Sequence, residues 1–271
     1  MMHSVRVVGA TGGAERMNVY EDGGRLSLRP LPAGEVHVHL ADPVALADPE
    51  RVRRYLALLE PHELEQYRRF HFDHNRQEYL VTRALVRTVL STYVPRAPEA
   101  WRFVRTEHGR PLIAGAGSDP QTRWLTFNLS NTTGLVACAV ARGREVGVDV
   151  EWLDRRGQAL DIADRFFSAP ELAELRARPP ERQLDRFFDY WTLKEAYIKA
   201  LGKGLTLPLE AFALVLDAGQ PIRLRVFPPI QDDPESWQFH LCSPAPRHRL
   251  AVAVRRRGDP PLGVDLRWVS P

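Results

Sequence analysis

Asp149 and Glu151 stand two apart in the run Gly147-Val148-Asp149-Val150-Glu151-Trp152. Side chains alternate faces along a strand, so here both carboxylates project from one side and the valines from the other. Paired hard oxygen donors on a rigid strand suit a magnesium ion that must also accept phosphate oxygens. A solvated strand face would carry the same residues. Glu195 and Lys199 form a second pair, in a segment rich in Phe187, Phe188, Tyr190, Trp191, Leu193, Tyr197, Ile198 and Leu201. At about 100° per residue these apolar side chains surround the axis, so the helix is expected to be largely buried, with Glu195 falling between Phe188 and Trp191. A carboxylate there is costly unless a cation or hydrogen bonds satisfy it. The alternative is an exposed i,i+4 pair worth about 0.2–0.5 kcal/mol, but a helix apolar all round has no such face. A third group, Asn128-Leu129-Ser130-Asn131-Thr132-Thr133-Gly134, reads as a polar turn after an apolar strand, with Gly109-Arg110-Pro111 upstream. Hydroxyls, backbone N–H groups and the Arg110 fork could receive a phosphate, although most such turns bind only their own backbone.

The elements that must hold these residues follow from periodicity and punctuation. Residues 1–34, with glycine pairs at 12–13 and 23–24, read as a poorly ordered extension with no assigned chemistry. Val36, Val38 and Leu40 alternate with His37 and His39 as in a half-buried strand ending at Asp42-Pro43. Pro61 opens a helix toward Phe70, and Asp73 is placed to cap a second helix through to Tyr93. Strands are expected over 101–106, 124–129, 135–141 and 146–152. Helical material follows Asp154, interrupted at Pro170 and Pro179-Pro180, before a long helix from about Arg182 to Leu201 that Gly202 ends. Further strands are expected over 212–216, 222–227, 236–242 and 250–255. Strands and helices recur in both parts, predicting an α+β architecture of two similar halves, 35–143 and 144–271, meeting near Arg142 to Glu145.

Composition excludes several classes. The chain of 271 residues is 44% hydrophobic and 26% charged, enough to build a core without disulfide or metal. No apolar run nears the roughly 20 residues of a membrane span. The N-terminus lacks a secretory pattern, so a cytoplasmic protein is expected. Cys138 and Cys242 lie far apart without neighbouring ligands, which fits buried apolar fillers and not a zinc module. A net charge of +3 implies no nucleic acid.

The ordered combination is what identifies a family. Gly109-Arg110-Pro111, Phe127-Asn128-Leu129-Ser130, Gly-Val-Asp-Val-Glu at 147–151 and Trp191-x-x-Lys-Glu-Ala-Tyr-x-Lys-Ala-x-Gly-x-Gly-Leu to 205 resemble the Sfp-type 4′-phosphopantetheinyl transferases. Arg165-Phe166-Phe167-Ser168 and Arg68-Arg69-Phe70 fit as well. The resemblance runs from about Val36 to Val254. It implies a pseudodimer of two α+β halves, sufficient as a monomer, with coenzyme A and Mg2+ in the cleft between them and an apo acyl or peptidyl carrier protein as partner. By the same resemblance Asp149, Glu151 and Glu195 hold the metal. Glu195 takes the proton of the carrier serine, and Lys199 contacts the pyrophosphate as 3′,5′-ADP leaves. Arg105, Gly109, Arg110, Asn128, Ser130 and Asn131 match the positions that hold the adenosine 3′-phosphate and base. Two departures stand out. Asn131 replaces a histidine common at that position, and Gln66 replaces a common Lys or Arg, so weaker coenzyme A binding is expected.

Other patterns compete less well. Val5-Arg6-Val7-Val8-Gly9-Ala10-Thr11-Gly12-Gly13 imitates a dinucleotide-binding opening, but Glu15 occupies the third glycine position. Gly202-Lys203-Gly204 lacks P-loop spacing, and His71 with His74 has no third ligand. The rival functions are a catalytically silent carrier-binding module and a different magnesium-dependent phosphodiester enzyme.

Overall fold

The computed structural model describes residues 4–8, 14–19, 28–44, 48–154 and 159–271. In chain order the elements are β1 (Ser4–Val8), β2 (Ala14–Val19), β3 (Glu35–Ala41), α1 (Pro49–Leu56), α2 (Pro61–Arg69), α3 (Asp73–Ser91), β4 (Phe103–Arg105) and β5 (Pro111–Ile113). There follow β6 (Leu125–Thr132), β7 (Leu135–Arg142), β8 (Val146–Trp152), α4 (Ala159–Phe166), α5 (Ala169–Ala177) and α6 (Pro180–Leu201). The chain closes with β9 (Phe212–Val215), β10 (Arg223–Val226), β11 (Trp237–Cys242), β12 (His248–Arg255) and β13 (Gly263–Trp268).

One sheet runs β1-β2-β13-β3-β7-β6 and a second β11-β12-β8, with two separate hairpins, β4–β5 and β9–β10. Alternation along β7 shows how the layers stack. Val136, Cys138 and Val140 join the cluster containing Leu80, Ala84 and Leu85 of α3, whereas Leu135, Ala137, Ala139 and Ala141 join the cluster containing Val148, Val150 and Val252 of the second sheet. The order is therefore α3, first sheet, second sheet, α6, and strands between two apolar layers must bury both faces. This alters the reading of β3. His37 and His39 are 1% and 2% exposed, because α3 and its C-terminal turn cover the face that alternation assigned to solvent. Their rings share one phenol, His37 Nδ1 and His39 Nε2 lying 2.8 and 2.7 Å from the Tyr93 hydroxyl.

Three further differences from expectation have local causes. The α3 helix starts at Asp73 itself and Phe72 takes the N-cap position, so Asp73 pairs with Arg76 at 2.7 Å in the first turn instead of capping it. Pro170 lies in the first turn of α5 and Pro180 begins α6, so neither merely interrupts a helix, since a proline at the first turn lacks only an N–H that has no partner there. Strand β13 was not expected. It crosses back to lie parallel to β3, with Asp265 opposite His37. The pair β1–β2 extends this sheet, and among the described residues the element after β1 is the strand β2 and not the helix a dinucleotide site needs. Gly9 to Gly13 and Gly23-Gly24 lie outside the described residues. Cys138 and Cys242 are both buried, and among the described residues no helix is long and apolar enough to cross a membrane.

Candidate active site

The site lies where β8 meets α6. Valines 146, 148 and 150 pack between the sheets, which turns Gly147, Asp149 and Glu151 toward the helix. The approach is unusually close. A Cβ on Gly147 would fall 2.0 Å from the Ala196 carbonyl oxygen and 2.5 Å from the Ala200 nitrogen, so only glycine lets strand and helix come together here. On α6, Phe187, Phe188, Tyr190, Leu193, Ala196, Tyr197, Ile198 and Ala200 are buried. Trp191, Glu195 and Lys199, at i, i+4 and i+8, form a partly open row.

That row meets the strand carboxylates side by side. The Lys199 ammonium donates to Asp149 Oδ1 at 2.6 Å and to the Ser130 hydroxyl at 2.8 Å, and Ser130 also donates to Asp149 Oδ1 at 2.9 Å. At the other end the Trp191 indole N–H donates to Glu151 Oε1 at 3.0 Å. Glu195 stands between them. Burial, with the charge of Asp149 beside it, pushes its carboxyl up to about 6, and Lys199 opposes the shift. The second Asp149 oxygen, Oδ2, is buried without a hydrogen-bond partner. A desolvated anionic lone pair of this kind is costly, and a cation from outside the chain could satisfy it.

Asn128 and Ser130 lie within β6 and not in a turn, which shrinks to 133–134. The reason is that their side chains do the work of a missing backbone ladder. Asn128 Oδ1 accepts from the Val148 N–H at 3.1 Å and Ser130 Oγ from the Val150 N–H at 3.2 Å, so β6 is stitched to the open edge of β8 through polar side chains.

Arg110 is held differently from a free phosphate fork. Its Nη1 donates to the carbonyls of Lys199 and Ala200 at 3.1 and 2.7 Å, and its Nη2 to that of Val146 at 3.3 Å. It thereby closes the C-terminus of α6, where carbonyls lack helical partners, while Gly202 with φ of 68° ends the helix. Arg105, exposed, donates to the Gly109 carbonyl at 2.9 Å in the β4–β5 turn. Asn131, at the exposed end of β6, bonds to Glu78 of α3 beside a small cavity also lined by Phe70, Asn75 and Arg83. Gln66, Arg68 and Arg69 are exposed on α2.

In kind, the donors fit a hard divalent ion: three carboxylates, one with an orphaned buried oxygen. In arrangement, Lys199 holds Asp149 and Trp191 holds Glu151. Among the described residues the triplets whose ligand atoms lie within 4.8 Å of one another are Glu35–His37–Asp265 and Glu60–His62–Glu63, so Asp149, Glu151 and Glu195 are adjacent without being gathered. The two other triplets are engaged within the protein, His37 by Tyr93 and Glu35, Glu63 by Arg87 at 2.6 Å.

Two contributors were missed in the sequence. Trp191 anchors Glu151, and its position one turn before Glu195 was the available signal. Lys194 is fully buried, its ammonium 2.8 Å from Glu171 Oε2 and from the carbonyls of Leu209 and Phe212. Nothing in one chain distinguishes it from a surface lysine.

Three carboxylates and a lysine thus adjoin one another where α6 packs on β8 in a mixed α/β fold. Residues 145–254 match the 4′-phosphopantetheinyl transferase superfamily, and residues 47–142 match the 4′-phosphopantetheinyl transferase N-terminal family. The chain is 33% identical over 232 residues to 4′-phosphopantetheinyl transferase HetI of Nostoc sp., covering 85% of this chain and 92% of that one. It is 34% identical over 221 residues to 4′-phosphopantetheinyl transferase Sfp of Bacillus subtilis, with 82% and 92% covered. A more distant relative, at 27% identity over 77% of this chain and 71% of its own, is the L-aminoadipate-semialdehyde dehydrogenase-phosphopantetheinyl transferase of Mus musculus. The chain belongs to the 4′-phosphopantetheinyl transferase family.

Proposed function

We propose that this enzyme moves the 4′-phosphopantetheine arm of coenzyme A onto a serine of an apo acyl or peptidyl carrier protein. The observation that carries the reading is Asp149, buried, with one oxygen on Lys199 and the other unpartnered. Beside it stands Glu195, a carboxyl held near 6. In the reaction, the serine Oγ attacks the phosphorus next to pantetheine, the bridging P–O bond breaks, and 3′,5′-ADP leaves. Glu195 accepts the serine proton, a task that suits a base poised close to neutral pH. Lys199 stabilises negative charge on the pyrophosphate. Asp149, Glu151 and Glu195 would hold Mg2+, which supplies charge neutralisation across the pyrophosphate when bound.

The pseudodimer reading is part of the same proposal. Helix α3 over β3, β7 and β6, and α6 over β8, β12 and β11, support two halves, 35–143 and 144–271, with the site at their junction. Ser130 and Asn128 come from the first half and Asp149, Glu151, Glu195 and Lys199 from the second. Arg105, Gly109 and Asn131, all from the first half, would bind the adenosine 3′-phosphate, and Arg110 would support them by fixing the end of α6. Asn131 bonds to Glu78 and carries no charge, which is consistent with modest phosphate affinity. The enzyme is incubated with coenzyme A, Mg2+ and a set of apo carriers, and carrier mass is followed. A gain of one phosphopantetheine is expected, with Glu195→Gln lowering kcat by about 10²–10⁴. Carriers left unmodified by the folded wild type would overturn the reading.

A further inference from the structure

The ammonium of Lys199 sits where a cation ligand should be free. Asp149 lies on a strand fixed by β12 on one edge and by the β6 side chains on the other. Its side chain is 5% exposed, whereas that of Lys199 is 29% exposed. One member of the pair is rigid and desolvated. The other is a long, flexible stem with a path to solvent, three residues before the glycine that ends α6.

While the pair is formed, Asp149 Oδ1 is crowded by Lys199 and Ser130 at 2.6 and 2.9 Å. A divalent ion approaching Oδ2 would face the ammonium across a single carboxylate, with little water to screen the repulsion. Removing the ammonium without replacing it would in turn strand a buried carboxylate. The two states of lowest cost are therefore Lys199 on Asp149, or a divalent ion on Asp149 with Lys199 on another anion.

We propose that Lys199 is the resident counter-cation of Asp149, giving way to the divalent ion when a pyrophosphate-bearing substrate draws the ammonium off. This rests on the reading of Asp149 as a cation ligand and adds to it a coupling. Divalent ion and anionic substrate bind together, each favouring the other, and coupling of this kind is reciprocal by linkage. The free protein holds divalent ions weakly although three carboxylates are at hand, and Lys199 serves two anions in turn.

Mn2+ is titrated into the full-length protein without coenzyme A and followed by the electron paramagnetic resonance of free Mn2+. Wild type, Lys199→Met and Lys199→Gln are compared, with Asp149→Asn as reference. Thermal unfolding by circular dichroism establishes that each variant is folded, and either lysine variant carries the test. The expected result is Mn2+ binding about tenfold tighter in the lysine variants than in wild type. That gain should vanish when Asp149→Asn is added. Unchanged or weaker binding in folded lysine variants, with Asp149→Asn still abolishing binding, overturns the coupling and leaves the metal-ligand reading intact. If Asp149→Asn leaves Mn2+ binding unaltered both with and without coenzyme A, the metal-ligand reading itself fails.

Discussion

Two lysines five residues apart on α6 each meet a carboxylate, and they do so in opposite ways. Lys194 is closed in: Glu171 Oε2 and two backbone carbonyls accept from it, and its ammonium lies 4.0 Å from the Phe212 ring centroid. Glu171 is equally complete, accepting from the Ser168 N–H and hydroxyl through Oε2 and from the Leu214 N–H through Oε1. Lys199 has two acceptors and Asp149 keeps an oxygen with none. Charge, residue type and helix are shared. What separates a structural ion pair from a reactive one here is the number of unmet valences, because a saturated buried pair has nothing left to give a ligand.

The difference is tested most severely by removing each ammonium. Lys194→Met leaves a carboxylate that is 1% exposed without its cation, and the expected loss is about 3–5 kcal/mol. Burial already lowers the pKa of Lys194, with Glu171 pulling it back, so this lysine depends on its partner as much as the partner depends on it. Lys199→Met should cost less, since the Lys199 side chain is 29% exposed and its removal opens a way for water to the stranded carboxylate. Urea unfolding midpoints at unchanged slope measure both. Equal losses would break the comparison.

How far these two sites could be read in advance follows from the same physics. The strand bearing Asp149 and Glu151 and the helix bearing Glu195 and Lys199 were visible because their signals are local: period two on β8, an all-round apolar helix, and a glycine stop. The role of Lys194 was not, because its partners come from Glu171, Leu209 and Phe212, which no spacing rule brings together. The polar run at 128–134 reads as a turn because Asn and Ser favour turns, and only 133–134 is one. Here tertiary demand wins, since the open edge of β8 needs acceptors that only polar side chains on a neighbouring strand can supply. The burial of His37 and His39, and the return of β13, likewise depend on which layers cover which face.

A second contrast lies in proton binding. Glu195 has a folded-state pKa of about 6 against an ordinary 4.5, so between those values the folded protein holds more protons than the unfolded chain. Stability in EDTA should fall as pH rises from about 4.5 to about 6, by up to about 2 kcal/mol, and then level off. The contribution is fully present below the unfolded value and is lost through the folded one. Glu195→Gln should flatten that slope. Retention of the full slope in the variant would move the titration to another group.

The smallest expected effect belongs to Trp191, and it sharpens the meaning of an open site. The indole stacks on Phe187, with ring centroids 5.9 Å apart, while its N–H holds Glu151. Trp191→Phe keeps an aromatic ring in place and deletes only the donor. Stability should change by about 1 kcal/mol, and Glu151 loses the bond that orients it toward α6. If Trp191 is a positioning residue, the Mg2+ concentration for half-maximal activity rises about tenfold. The rate at saturating Mg2+ stays near wild type, because the ion itself then gathers the carboxylate. A fall in the saturated rate with unchanged Mg2+ dependence would mean that Trp191 acts on substrate and not through Glu151.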